Sequence, residues 1–136
     1  SPMTLVVDAS IAAAWILPDE DGVTADAILH RVAAEGAIVP DLLWHELRNI
    51  LLMAARRGRL PEVEIVPSLL RLRRLPLETE SPSAGGDAAL VALALRHGLT
   101  AYDAAYLMLA RDWDSALATA DRALRRAAEA EGIDLA

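Results

Sequence analysis

The sequence predicts an α/β domain in which a parallel sheet lies between layers of helices. Short apolar runs of strand character alternate along the chain with stretches of helical period, the pattern of strands joined by helical crossovers. The first run, Thr4-Leu-Val-Val7, is unbroken and rich in β-branched residues, as suits a strand buried on both faces. It stops at Asp8, and a helix-forming stretch follows at once. An acid is thereby set at the carboxyl end of a strand, where open α/β sheets bind their ligands.

The remaining elements follow in order. Ile11 to Leu17 is expected as a short helix ended by Pro18, with an acidic turn at Asp19-Glu-Asp-Gly22. A longer helix spans about Val23 to Ala34, its apolar stripe made by Ala27, Ile28 and Val32, and Gly36 closes it. Ala37 to Val39 reads as a second strand cut off by Pro40. Asp41 then looks like the N-cap of a long helix reaching about Arg57, with Leu43, Leu47, Ile50, Leu51 and Ala54 keeping the helical period. Gly58 stops it, and Pro61 at a first helical position opens a helix to about Leu72. Leu75 to Glu80 alternates as a third strand, placed at a sheet edge by Pro76. Beyond the Ser/Pro/Gly-rich loop of Ser81 to Gly86, helices are expected over Asp87–Arg96 and Thr100–Asp112, separated by Gly98. Ser115 to Thr119 is a fourth strand, Asp121 to Glu131 a helix, and Ile133 to Leu135 a last short strand.

Composition narrows the class. A chain of 136 residues with 54% apolar and 24% charged residues is expected to form one domain with a real core, spanning residues 3–136. Ser1-Pro2 ahead of Met3 resembles the remnant of a cleaved tag. The start lacks the layout of a signal peptide, and no apolar run approaches the ~20 residues that span a bilayer. Cysteine is absent, which excludes disulfides and thiolate zinc sites; the expected compartment is the cytoplasm. The net charge of −7 arises from 20 acidic and 13 basic residues, all of the latter arginine. Three arginine clusters stand out: Arg56, Arg57 and Arg59; Arg71, Arg73 and Arg74; Arg122, Arg125 and Arg126. Each reads first as a solvated helix face. A negative total does not exclude a phosphate substrate, because bound divalent cations invert the field of an acidic site.

Four acids occupy element boundaries: Asp8 after the first strand, Glu46 early in the long helix, Asp103 in the first turn after Thr100, and Asp121 after the fourth strand. An all-carboxylate set suits Mg²⁺ or Mn²⁺ better than zinc. Each acid also has a plainer use. Asp8 or Ser10 can cap a helix, Asp103 can complete a capping box with Thr100, Asp121 can cap the helix from Arg122, and Glu46 can complement a helix dipole. Against these uses stand the apolar neighbours, since an acid is costly to desolvate without a partner.

Val6-Val-Asp-Ala-Ser10, the Glu46/Asn49 pair, Leu99-Thr-Ala-Tyr-Asp-Ala-Ala-Tyr106 and Leu117-Ala-Thr-Ala-Asp121 together resemble the ordered motifs of the PIN-domain family. More narrowly, they resemble the VapC-type toxin ribonucleases of bacterial toxin–antitoxin pairs. The resemblance covers nearly the whole chain. It implies a PIN-like three-layer α/β/α sandwich with a short, mainly parallel central sheet. It also implies Asp8, Glu46, Asp103 and Asp121 as catalytic, metal-holding acids, with Ser10, Asn49 and Thr119 as supporting polar residues. The implied cofactor is Mg²⁺ or Mn²⁺. The implied reaction is cleavage of RNA by in-line attack of metal-activated water, leaving 5′-phosphate and 3′-hydroxyl ends. A cognate VapB-type antitoxin and a homodimer are the implied partners, with Trp15, Ile16, Leu51, Leu52 and Met53 as interface candidates. The segment Asp114-Ser-Ala-Leu is less apolar than in many relatives, which leaves the start of the last long strand open.

Other residues invite function without a pattern to support it. His30, His45 and His97 have no metal-ligand spacing, and His45 is turned about 100° from Glu46 on a helix. Trp15, Trp44 and Trp113 could stack on bases, yet packing is the expected use in a chain without phenylalanine. Two rival functions stay open: a metal-dependent phosphatase of another α/β type, and a non-catalytic PIN-like binding module. The first is expected to carry a second Asp two residues after the first, where this chain has Ser10.

Overall fold

The computed structural model describes residues 4–17, 22–81 and 84–136. The expected tag remnant, Pro18 and the acidic turn at Asp19 to Asp21 lie outside those residues. In chain order the elements are β1 (Leu5–Val7), α1 (Ala9–Ile16), α2 (Val23–Glu35), β2 (Ala37–Pro40) and α3 (Leu42–Arg56). A 3₁₀ turn at Glu62–Glu64 leads into α4 (Ile65–Arg73) and β3 (Leu77–Glu80). After a second 3₁₀ turn come α5 (Asp87–His97), α6 (Ala101–Asp112), β4 (Ala116–Ala118) and α7 (Arg122–Ala130). The four strands form one parallel sheet of order β3-β2-β1-β4.

Burial explains the sheet. Every residue of β1, β2 and β4 is buried, so these strands need apolar or small side chains on both faces. The edge strand β3 is only partly covered and carries Glu78 and Glu80. Leu5, Val6 and Val7 pair with Ala116, Leu117 and Ala118, and Val6 pairs on the other side with Ile38. Helix α6 packs across β1, β2 and β4, with α5 and α7 beside it. Helix α1 touches α2 and α3, and α3 touches α4, which supplies the second helical layer. Among the described residues no helix is long and apolar enough to cross a membrane.

Several expectations shift. The stripe of α2 is Ala25, Ile28 and Val32, while Ala27 is exposed, because Ala25 is the residue one turn before Ile28. Asp41 holds the N-cap position of α3 as expected but makes no capping bond: its backbone is already helical, and its carboxylate accepts from the Ser81 hydroxyl instead. Pro61 opens a 3₁₀ turn rather than the helix proper. Pro67 is the third residue of α4, within the turn whose amide groups have no helical partner anyway. Leu135 forms a single parallel bridge to Leu117 rather than a strand. Leu51 is fully buried, which removes it from the interface candidates, whereas Leu52 is exposed.

Leu47, beside Glu46 on α3, has no exposed surface. Leu47→Ala is expected to cost about 2–5 kcal/mol through lost burial and the cavity left behind. The cost would be read as a lower urea midpoint with an unchanged slope. A loss under about 1 kcal/mol would show that α3 is not seated on the core here.

Candidate active site

The strand order reverses direction between β1 and β4, since the chain builds outward to β2 and β3 on one side and adds β4 on the other. That switch point opens a crevice at the carboxyl ends of the two central strands. Asp8 ends β1 and Thr119 to Asp121 end β4, so the topology brings them to one crevice. The Asp8 amide donates to the Ala118 carbonyl at 3.1 Å, carrying the β1–β4 ladder one step further.

Asp8 is 5% exposed and fully engaged. Its Oδ1 accepts from the Ser10 hydroxyl at 2.7 Å and from the Ile11 amide at 3.2 Å, so it does cap α1. Its Oδ2 accepts from the Thr119 hydroxyl. Burial pushes the Asp8 pKa up and outweighs the hydrogen bonds from Ser10, Thr119 and Ile11, which work the other way. Ser10 and Thr119 also pin the opposite strand end. The Ser10 hydroxyl accepts from the Ala120 amide at 3.0 Å, and the Thr119 hydroxyl accepts from the Asp121 amide at 3.0 Å.

Glu46 reaches the crevice from α3. Its Oε1 accepts from the Tyr106 hydroxyl at 2.6 Å. Partial burial raises its pKa, and the charges of Asp103 and Asp8 add to the effect, against the lowering by the Tyr106 bond. Asp103, in the first turn of α6, is raised by burial and then by the charges of Asp121 and Asp8. The anticipated capping box is half made: Thr100 accepts from the Asp103 amide at 3.1 Å, but nothing among the described residues donates to the Asp103 carboxylate. Asp121 caps α7, accepting from the Leu124 amide at 2.9 Å on Oδ2. The four acids therefore share one electrostatic neighbourhood, and two of them also serve as helix caps. Capping a helix does not keep Asp8 or Asp121 out of that neighbourhood.

Asn49 stands apart. It is exposed and makes no bond to Glu46. Tyr106, three residues after Asp103 on α6, makes the hydrogen bond to Glu46 that was expected of Asn49. The signal was its spacing: residues three apart on a helix share a face, so an acid and a tyrosine there can serve one site. His45 lines a different hollow of about 470 Å³, with Leu42, Leu90, Met108 and Trp113, that contains none of the four acids. His97 binds Glu131 at 2.7 Å. Trp15 and Trp44 serve packing, donating to the Ala25 carbonyl and the Thr79 hydroxyl, whereas Trp113 is 45% exposed.

The sequence matches the PIN domain family over residues 5–130. The chain belongs to that family. It is 40% identical over 124 residues to ribonuclease VapC3 of Pyrobaculum aerophilum, a match covering 90% of this chain and 92% of the relative. Ribonuclease VapC9 of Mycobacterium tuberculosis is 36% identical over 127 residues, covering 93% of each chain. The fold is similar to the crystal structure of a Pyrobaculum aerophilum protein, with TM-score 0.71 and 25% identity over 92% of this chain and 84% of that one. It is also similar to the crystal structure of FitAcB from Neisseria gonorrhoeae, with TM-score 0.58, 18% identity, and 97% and 96% coverage.

Whether this PIN domain's acids suit a cation can be judged from their free oxygens. Among the described residues, Glu46 Oε2, Asp121 Oδ1 and both oxygens of Asp103 accept no hydrogen bond. No buried side-chain polar atom lacks a partner among those residues, so these oxygens face water. As placed, no three acidic, histidine or cysteine side chains among the described residues make a ready metal-ligand set. A cation among these acids would offset the repulsion between their charges. The donor set itself is all oxygen and anionic, the chemistry a hard divalent cation takes.

Proposed function

We propose that this PIN domain is a Mg²⁺- or Mn²⁺-dependent endoribonuclease toxin of the VapC type, cytoplasmic and inhibited by a cognate VapB-type antitoxin. The observations that support the reading are the topology that brings Asp8 and Asp121 to one crevice and the charge effects that join Glu46 and Asp103 to them. The names of the relatives at 36–40% identity support the ribonuclease class and an antitoxin partner. Asp8, Glu46, Asp103 and Asp121 would hold the cation, directly or through water. When bound, a divalent cation neutralises the scissile phosphate and makes a coordinated water acidic enough to be a nucleophile near neutral pH. The chain's own part is to fix the acids. Ser10 and Thr119 lock both oxygens of Asp8 on the rigid end of β1, and Tyr106 holds one oxygen of Glu46, leaving the other free.

Purified protein incubated with a panel of structured and unstructured RNAs is expected to cut a subset with Mg²⁺ or Mn²⁺ and none with EDTA. Cleavage that persists in EDTA, or hydrolysis of small phosphomonoesters without RNA cleavage, would overturn this reading. The same proposal includes a homodimer, for which light scattering should give twice the chain mass; a monomer at high concentration counts against it.

A further inference from the structure

What sets the arginines of α7 apart is position, because Arg48, Arg57 and Arg74 are likewise exposed and make no ion pair among the described residues. Arg31, Arg71, Arg96 and Arg111 make ion pairs with Glu35, Glu64, Glu131 and Asp112. The Arg73 guanidinium lies 3.6 Å over the Trp44 ring. Arg122 and Arg126 are exposed and make no ion pair among the described residues. Arg125 is anchored: its Nη1 donates at 3.0 Å to the carbonyl of Thr119, the residue whose hydroxyl holds Asp8. Spaced by three and four residues, the three share one helix face, and with Glu129 they line a shallow hollow of about 240 Å³. Arg122 follows Asp121 directly, and at ~1.5 Å per residue all three lie within about 8 Å of it along the helix axis.

On α7 the cations without an ion pair thus begin where the acidic crevice ends. A chain of net charge −7 repels a polyanion at long range. Screening confines that repulsion to about 8 Å at physiological salt, which is the reach over which the α7 arginines act. Guanidinium groups suit phosphate oxygens because their planar fork matches them with paired hydrogen bonds. We propose that the arginine face of α7 binds the phosphodiester backbone of single-stranded RNA, taking phosphates that flank the one presented to the acids. This rests on the ribonuclease reading. The face binds and sets register; it takes no part in bond breaking, and its work is expressed in KM.

The test pairs binding with kinetics, using a fluorescein-labelled single-stranded RNA that the wild-type protein cuts. In EDTA, fluorescence anisotropy of the Arg122→Glu/Arg126→Glu variant should show an affinity at least about tenfold weaker than wild type. Its plot of log affinity against log salt should be shallower by roughly 1.4, about 0.7 for each lost single-strand phosphate contact. With Mg²⁺, KM should rise about tenfold with kcat within about twofold, since a phosphate contact weakens binding uniformly. Arg122→Lys/Arg126→Lys should keep the wild-type salt slope while losing part of the affinity with the paired hydrogen bonds. Arg122→Ala/Arg126→Ala should lose affinity and slope to a degree between the lysine and glutamate variants, which keeps the test sound if the charge reversal misfolds. Unchanged affinity and salt slope, or a loss confined to kcat, overturns the site. A wild-type protein that cuts no RNA overturns the ribonuclease reading instead, so the two failures are distinguishable.

Discussion

Asp8→Asn is expected to reduce RNA cleavage at least about 10³-fold while making the metal-free protein more stable at neutral pH. The loss follows from charge. Stabilisation of a phosphoryl transition state by a bound cation is worth several kcal/mol, and each 1.36 kcal/mol is tenfold in rate. Asp8 is the most buried of the four acids, and its charge acts on both Glu46 and Asp103. The gain in stability follows from the same burial. An asparagine amide keeps the acceptor for Ser10 and Ile11 and can donate to the Thr119 hydroxyl, yet it has no charge to desolvate.

The pH dependence has a definite sign. Asp8, Glu46 and Asp103 have folded-state pKa values raised above their unfolded ones, so the folded chain binds protons more tightly than the unfolded chain. Their contribution to stability is fully present below the ordinary carboxylate range near 3.8–4.5 and is lost as pH rises through the raised values. The metal-free wild type should therefore lose part of its melting temperature on going from about pH 4.5 to pH 7. Mg²⁺ should restore it by mass action, about 2.7 kcal/mol at a hundredfold excess over Kd. Asp8→Asn should flatten both responses and raise the metal-free melting point at pH 7 by a few degrees, where ~1 kcal/mol shifts a domain of this size by about 3–5 °C. Calorimetry at both pH values with and without Mg²⁺ reads all of this. A variant that still cuts RNA within tenfold of wild type, or melts lower than wild type without metal, would remove Asp8 from the centre of the site.

The parts of this molecule that were legible in the sequence are those governed by local rules. Unbroken apolar runs marked β1, β2 and β4, and glycines with positive φ at Gly36 and Gly98 close α2 and α5 where expected. The acids at element boundaries were visible because a parallel sheet puts every strand end at one side. What stayed hidden depended on which residues meet across the fold. Asn49 and Tyr106 are both three residues from an acid on a helix, and only the seating of α6 across the sheet decides that the tyrosine reaches Glu46. Asp41 has the residue type of an N-cap, but the competing hydroxyl of Ser81 lies forty residues away in sequence. Arg125 illustrates the same limit: its anchor on Thr119 comes from the tight turn between β4 and α7, which no periodicity reports.

Tyr106→Phe should then cost about 10–100-fold in kcat/KM while leaving the fold intact, the range found when a partner that orients a metal ligand is removed. The ring of Tyr106 is 1% exposed and sits in the core, and phenylalanine preserves that packing. What disappears is one charge-assisted hydrogen bond to Glu46 Oε1. Burial and the bond to Glu46 push the Tyr106 hydroxyl far above its ordinary pKa of 10.0, so it remains a donor at every working pH and is not a general base. Its bond lowers the Glu46 pKa against the combined push of burial, Asp103 and Asp8. Without it Glu46 holds its proton to higher pH, and a protonated carboxyl is a poor metal ligand. The acid limb of the kcat/KM profile should therefore move to higher pH, and Mn²⁺ affinity measured by calorimetry at pH 6 should fall more than at pH 8. A merely structural tyrosine would change the melting temperature and leave both readouts where they were. If the acid limb and the Mn²⁺ affinity of Tyr106→Phe match wild type, Glu46 is held in place by α3 alone, and the hydroxyl is incidental to the site.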